Sequence, residues 1–276
     1  MKIEKMKVSQ SLYKRLIKYL DNKECGLQIY KNYIEGIETI PSDVQAMGHW
    51  FEYECTGQTD RNGNIPQPKI LKSGKLSAPY ERMKSQVENF KRAIDFHDFK
   101  ITDTGYVFNN PYYSGIADVI AEKDGKKCII DIKSSGLLDN KWSEFGWNIE
   151  KFETPDSDSA FNILIQAIHY KYMAKLEWDL DDVPFYFMVF STTNEIDCLI
   201  YEIEVDEDRI LQHITDLQKM YVYLNKDFVN KDKNELANPE YKRCSKCQFS
   251  DDCESKLIVP QIQTIYVWQR KKNTKS

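Results

Sequence analysis

Two aspartates and a lysine carry the strongest chemical signal in this sequence. Asp118 and Asp131 stand in two apolar, alternating segments, Tyr113 to Glu122 and Lys126 to Ser134, joined by Asp124-Gly125. That dipeptide favours a two-residue hairpin turn. Counting outward from the tip places Asp118 directly opposite Asp131. Opposed like charges destabilise a strand pair, and a divalent cation between them removes the difficulty. Side chains alternate along a strand, so Ile116, Asp118 and Ile120 share a face with Ile129, Asp131 and Lys133. Ala117, Val119, Cys128, Ile130 and Ile132 are expected to form the core face. Lys133 is then placed to orient an attacking water and to offset charge developing on a phosphorus centre, as a metal ion does. A plain strand face with an Asp131–Lys133 salt bridge is the competing explanation. It accounts for neither the facing aspartates nor their apolar neighbours.

Three further groups could do chemistry. In GHWFE, Glu52 follows Gly48 by four residues, and in QAIHY, Tyr170 follows Gln166 by four, so each pair shares one face of a helix. Core packing plus a surface amide is the other explanation for Gln166 and Tyr170. Near the end, YKRCSKCQFSDDC sets Cys244, Cys247 and Cys253 at C-x2-C-x5-C spacing. Three thiol ligands ask for a fourth. Cys128, on a core-facing strand position, and Cys198, near a strand start, are expected to be buried thiols.

The elements that must position these groups follow from periodicity. Val8, Leu12, Leu16 and Tyr19/Leu20 keep helical spacing, as do Leu27, Tyr30 and Tyr33/Ile34, then Val44, Met47 and Phe51, and a helix is predicted over Tyr80 to Phe99. Thr56 to Pro79 is polar and reads as a flexible or substrate-facing loop. Strands are predicted at Gly105 to Asn109, across the hairpin, at Pro184 to Ser191 and at Cys198 to Val205. Helices are predicted at Ala160 to Lys175 and Asp206 to Asp227.

Composition sets outer bounds. A chain of 276 residues, 41% hydrophobic and 29% charged, with a mean hydropathy of -0.59, is an ordinary globular protein able to bury one sizeable core. The longest apolar run, Val183 to Phe190, is too short to span a bilayer, and the charged amino terminus lacks a signal-peptide core. A cytoplasmic location is expected, where clustered cysteines point to metal ligation before disulfides. The net charge of -5 opposes nucleic-acid binding only if spread evenly, and it is not. Residues 1–40 hold eight Lys/Arg against five Asp/Glu, and residues 254–276 hold five against one.

The segment GIADVIAEKDGKKCIIDIKSS resembles the GxxD and DxK core of PD-(D/E)XK nucleases, with Gly115 and Asp118 in the first element and Asp131 and Lys133 in the second. Glu52 matches the metal-binding histidine of GxxxH in the RecB-like exonuclease branch, and Gln166 and Tyr170 match its QxxxY. The cysteines are similar to the iron-sulfur staple of AddB-type and CRISPR-adaptation nucleases. There Cys25 takes the upstream place, although Gly26 follows it where the family often has Pro. Cys55, within a turn of Glu52, ranks second.

The resemblance implies an α/β fold with a mixed sheet flanked by helices and the terminal segments clipped by a cysteine metal site. It implies one nuclease domain over 1–276, with N-terminal helices at 1–55 and the clip and basic tail at 241–276. The implied activity is Mg²⁺- or Mn²⁺-dependent cleavage of DNA, from ends or on single strands, as an exonuclease of recombination or repair. Glu52, Asp118, Asp131 and the Ile132 carbonyl would hold the metal, and Gln166 and Tyr170 the nucleic acid. Cys25, Cys244, Cys247 and Cys253 would hold a [4Fe-4S] cluster, or Zn²⁺. Phage-encoded relatives carry a similar GxxFE form, which extends the expected location to a host cytoplasm. A recombination or replication protein is an implied partner. The alternative is a silent nucleic-acid-binding accessory protein on the same fold.

Overall fold

The computed structural model describes residues 5–60, 63–154, 157–251, 253–257 and 259. Most of the basic tail therefore lies outside the described residues. A short strand β1 (Val8–Ser9) leads into helix α1 (Gln10–Leu20), whose first turn is capped by Ser9 accepting the Leu12 N–H. The predicted second helix is shorter than its periodicity. It is one turn, α2 (Gly26–Ile29), continued by a π-helical turn at Tyr30–Ile34. Helix α3 (Asp43–Thr56) opens on a capping box of Ser42 and Gln45 and ends at Gly57, left-handed with φ 74. After the long connection comes α4 (Ala78–Phe96).

Strand β2 (Lys100–Val107) begins earlier than predicted, and the predicted Tyr113–Glu122 strand is two pieces, β3 (Tyr113–Ser114) and β4 (Ile116–Lys123), interrupted at Gly115. Then follow β5 (Lys126–Ser135), α5 (Asp158–Trp178), β6 (Phe185–Ser191), β7 (Cys198–Glu202) and α6 (Glu207–Tyr223), which runs into a π turn at Leu224–Phe228. Two single-turn helices, α7 (Lys233–Leu236) and α8 (Tyr241–Cys244), lead to the cysteine-rich segment.

The main sheet has the order β2-β4-β5-β6-β7, antiparallel except for the parallel β5–β6 pair, and β1 pairs with β3 in parallel beside it. The β4–β5 hairpin has the predicted tip: Asp124 and Gly125 both take positive φ, 51 and 74, as a type I′ turn requires.

The expectation of a single core face is corrected. Ile120 and Ile129 pack with α1, α5 and α6 on one side, while Val119, Cys128, Ile130 and Ile132 pack with α3 and α4 on the other. Strand β6 shows the same two-sided burial, with Phe185, Phe187 and Val189 facing one layer and Tyr186, Met188 and Phe190 the other. A sheet covered by helices on both faces needs apolar side chains at every position, and each layer supplies its own hydrophobic contribution. No helix among the described residues is long and apolar enough to cross a membrane.

Candidate active site

The carboxylates gather where β4 leaves β5. The ladder runs from the hairpin tip to Val119 opposite Ile130 and records no pair beyond it. Asp118 therefore does not complete a ladder pair with Asp131, as the simple register expected. Its Oδ2 instead accepts the Ile132 backbone N–H at 2.7 Å. Both aspartates are buried, at 9% and 1% exposure. Asp131 Oδ1 accepts a hydrogen bond from Gln166 Nε2 on α5. Its Oδ2 lies against the Lys133 ammonium as an ion pair but receives no well-directed hydrogen bond.

Glu52 comes from the opposite layer on α3. A Cβ added at Gly48 would stand 3.2 Å from Ser134 Oγ on β5, so the glycine lets this helix lie close to the sheet one turn before Glu52. Burial raises the proton affinity of Glu52, with Asp131 adding to it and Lys133 opposing. Burial also raises Asp118 well above the usual carboxylate range, followed by the charges of Asp131 and Glu52. Asp131 is raised by burial and held back mainly by Lys133. Burial opposes the Lys133 charge, but Asp131, Asp118 and Glu52 together outweigh it and keep the ammonium firmly protonated. Three carboxyl groups face one paired ammonium, a formal excess of two negative charges when all three are ionised.

The groups implied by resemblance separate in their contacts. Gln166 touches Asp131. Tyr170 lies one turn further along α5 and donates its hydroxyl to the Ile116 carbonyl at 2.6 Å, with its ring stacked against Phe108 and Phe185. A Cβ at Gly115 would meet that ring at 2.7 Å. Gly115 and Tyr170 are thus one packing unit that fixes the start of β4. His49 is exposed.

Lys14 on α1 is a group that sequence reasoning missed. Its ammonium donates to the Asn162 carbonyl at 3.0 Å, and burial and the nearby Lys133 charge lower its pKa to about 8. Only the packing of α1 beside α5 brings it there, and no local motif marks it. Lys14, Arg15, Lys18, Lys133, Gln166 and Phe145 all line a groove of about 890 Å³. No described residue of the 57–79 connection lines it.

Cys25, Cys244, Cys247 and Cys253 line a second, small cavity together, and Gln28 Nε2 donates to Cys247 Sγ at 2.9 Å. Cys55 instead packs against the α3–α4 core, where burial raises its thiol pKa. Gly26 allows this arrangement, since a Cβ there would collide with the Leu236 carbonyl and the Tyr19 ring, both at 2.7 Å. Among the described residues, no three His, Cys, Asp or Glu side chains are gathered closely enough to hold a metal ion as they stand.

No protein-family model and no curated protein matches the chain. Solved structures do. A protein from Eubacterium rectale whose exonuclease designation is provisional matches with a TM-score of 0.62 and 14% identity, covering 94% of this chain and 92% of its own. LHK-Exo in complex with dAMP matches with a TM-score of 0.45 and 12% identity over 80% of this chain and 89% of its own. A phage-related exonuclease from Haemophilus somnus matches with 0.35 and 17% over 79% and 95%. The first likeness, nearly end to end in both chains, shows that this protein shares the mixed α/β fold of the Eubacterium rectale protein.

Proposed function

We propose that this chain is a metal-dependent deoxyribonuclease of the PD-(D/E)XK kind, acting on DNA ends. The observation that carries the reading is the grouping of Asp118, Asp131 and Lys133 with Glu52 across the sheet and Gln166 behind Asp131. It sits on a fold shared with a protein designated an exonuclease. The donor set fits a hard divalent cation. It offers carboxylate oxygens, an excess of negative charge, and an Asp131 Oδ2 with no directed hydrogen bond.

Bound Mg²⁺ or Mn²⁺ supplies charge stabilisation and a water reactive at neutral pH. Glu52, Asp118 and Asp131 would hold the ion, with the Ile132 carbonyl as a further oxygen donor. Lys133 orients the attacking water and balances charge on the phosphoryl oxygens. Gln166 fixes the Asp131 carboxylate, and Tyr170 holds the first residue of β4 against α5 so that Asp118 keeps its place. The test is digestion of end-labelled single- and double-stranded DNA with Mg²⁺, Mn²⁺ or EDTA. Metal-dependent shortening from the ends, lost in Asp131→Ala, is expected. Binding without cleavage under every condition would leave the silent accessory protein.

The same reading assigns Cys25, Cys244, Cys247 and Cys253 to a [4Fe-4S] cluster. What supports it is that these four thiols, and not Cys55, line one cavity. Thiolates suit iron-sulfur and zinc alike, so metal content decides.

A further inference from the structure

We propose that the Phe145 ring is a stacking platform for unpaired bases, so that the groove beside Asp131 takes single-stranded DNA or the frayed strand of a duplex end. This rests on the nuclease reading for its orientation and on the 136–148 segment for its substance. Three aromatic residues lie in that segment, and the structure divides them. Trp147 is buried against Phe187, with its carbonyl receiving the Tyr201 hydroxyl at 2.7 Å. Trp142 and Phe145 are 83% and 68% exposed. Rings left this open lose hydrophobic stabilisation, unless a partner covers them.

The segment that carries them is built. Lys151, only 4% exposed, donates from Nζ to the carbonyls of Ser143, Glu144 and Gly146 at 2.8, 3.1 and 2.8 Å. Ser135 Oγ donates to the Phe145 carbonyl at 3.3 Å, and Asn140 Oδ1 accepts from the Trp142 and Ser143 N–H groups. A buried ammonium satisfying three carbonyls is an expensive way to tie a loop that had no task. The outcome is a fixed turn that holds its two rings outward.

Position and charge name the occupant. Phe145 lines the same groove as Lys133 and Gln166, which places its ring at the approach to the carboxylates. The groove also carries Lys14, Arg15 and Lys18. Arg15 is paired with Glu24 and Lys18 with Glu144, while the Lys14 ammonium is hydrogen-bonded to a carbonyl. A polyanion with flat apolar faces matches such a surface: phosphates along the basic side chains, a base on the Phe145 ring. Paired bases keep their faces stacked on one another and cannot use the platform, so the single strand is the preferred form.

Binding is measured on the whole chain in EDTA, where cleavage does not intervene, with a short 2-aminopurine-labelled oligodeoxynucleotide, single-stranded or annealed as a blunt duplex. The single strand should bind more tightly, with its fluorescence quenched by stacking. Phe145→Ala should weaken single-strand binding by about tenfold and reduce the quenching, with little change for the duplex, and Phe145→Tyr should restore both. Unchanged single-strand affinity in Phe145→Ala, or equal losses for strand and duplex, would overturn the inference. So would a wild-type protein that does not bind the single strand. Cleavage depending on Asp131 is read separately, so a protein that stacks but does not cut, or cuts without stacking, tells the two failures apart.

Discussion

Asp118 is held by the Ile132 N–H, yet burial and the charges of Asp131 and Glu52 all oppose its ionisation. In the absence of a cation that opposition weakens the fold. Asp118→Asn keeps an oxygen for the Ile132 N–H and removes the charge, so the metal-free variant should be more stable than wild type by on the order of 1–2 kcal/mol. Its cleavage should fall by at least about a hundredfold. Denaturant unfolding in EDTA, paired with a nuclease assay, checks both, and a variant less stable than wild type would contradict the electrostatic account. Gly115→Ala acts differently, because its Cβ meets the Tyr170 ring at 2.7 Å. It should lose roughly 1–3 kcal/mol through overpacking, seen as a lowered melting temperature. At this scale the hairpin residues were legible, since turn chemistry and alternation fix them locally. The Asp118–Ile132 bond was not, because nothing local signals that the ladder stops at Val119.

Among elements, the Asp124-Gly125 tip and α5 followed directly from sequence, whereas the two-sided burial of β5 did not. Asp131 and Lys133 break what would otherwise be a continuous apolar run and imitate a solvated face. The PFYFMVFS run around β6 carried the plainer sign of a strand covered on both faces. Lys151 is an element-scale tie that periodicity cannot reveal. Lys151→Met would leave three carbonyls without their donor and should lower stability by about 1–3 kcal/mol, while weakening single-strand affinity although both exposed rings remain.

Helices α5 and α6 are joined by His169 and His213. His169 Nε2 faces the Ser114 carbonyl at 3.1 Å and must donate, so its Nδ1 accepts from His213 Nε2 at 3.3 Å. Burial lowers His169 to about 4 and His213 to about 3. The unfolded chain therefore takes up protons first as pH falls below about 6.5, and stability is lost from there down to about 4, by roughly 2 kcal/mol per histidine at about pH 5. Imidazole proton shifts followed by NMR should titrate at about 4 or lower. A midpoint near the ordinary histidine value would refute the buried neutral pair.

Across the whole molecule, the cysteine cavity joins α2 to the segment after α8, and spacing alone could not choose between Cys25 and Cys55. Packing favours Cys25 because Gly26 admits the Leu236 carbonyl, whereas Cys55 packs, partly buried, against the α3–α4 core away from the other three. Anaerobically purified protein should be brown, with about four iron and four sulfide per chain, and Cys25→Ala or Cys247→Ala should abolish this and lower stability. Colourless protein containing zinc would replace the cluster, and metal loss in Cys55→Ala but not in Cys25→Ala would move the fourth ligand. The central place of β5 has a different consequence. Asp131 and Lys133 ride on a strand paired with β6 along most of its length and with β4 as far as Ile130, with helices over both faces, so the amides of its doubly paired stretch should exchange with solvent only when the whole domain opens. Glu52 rides on α3, which covers one face of the sheet and is held there by the packing of Met47, Trp50 and Phe51 and not by the ladder. If Glu52 and Asp131 hold a cation between them, warming should therefore release it before the geometry of Asp131 and Lys133 is disturbed.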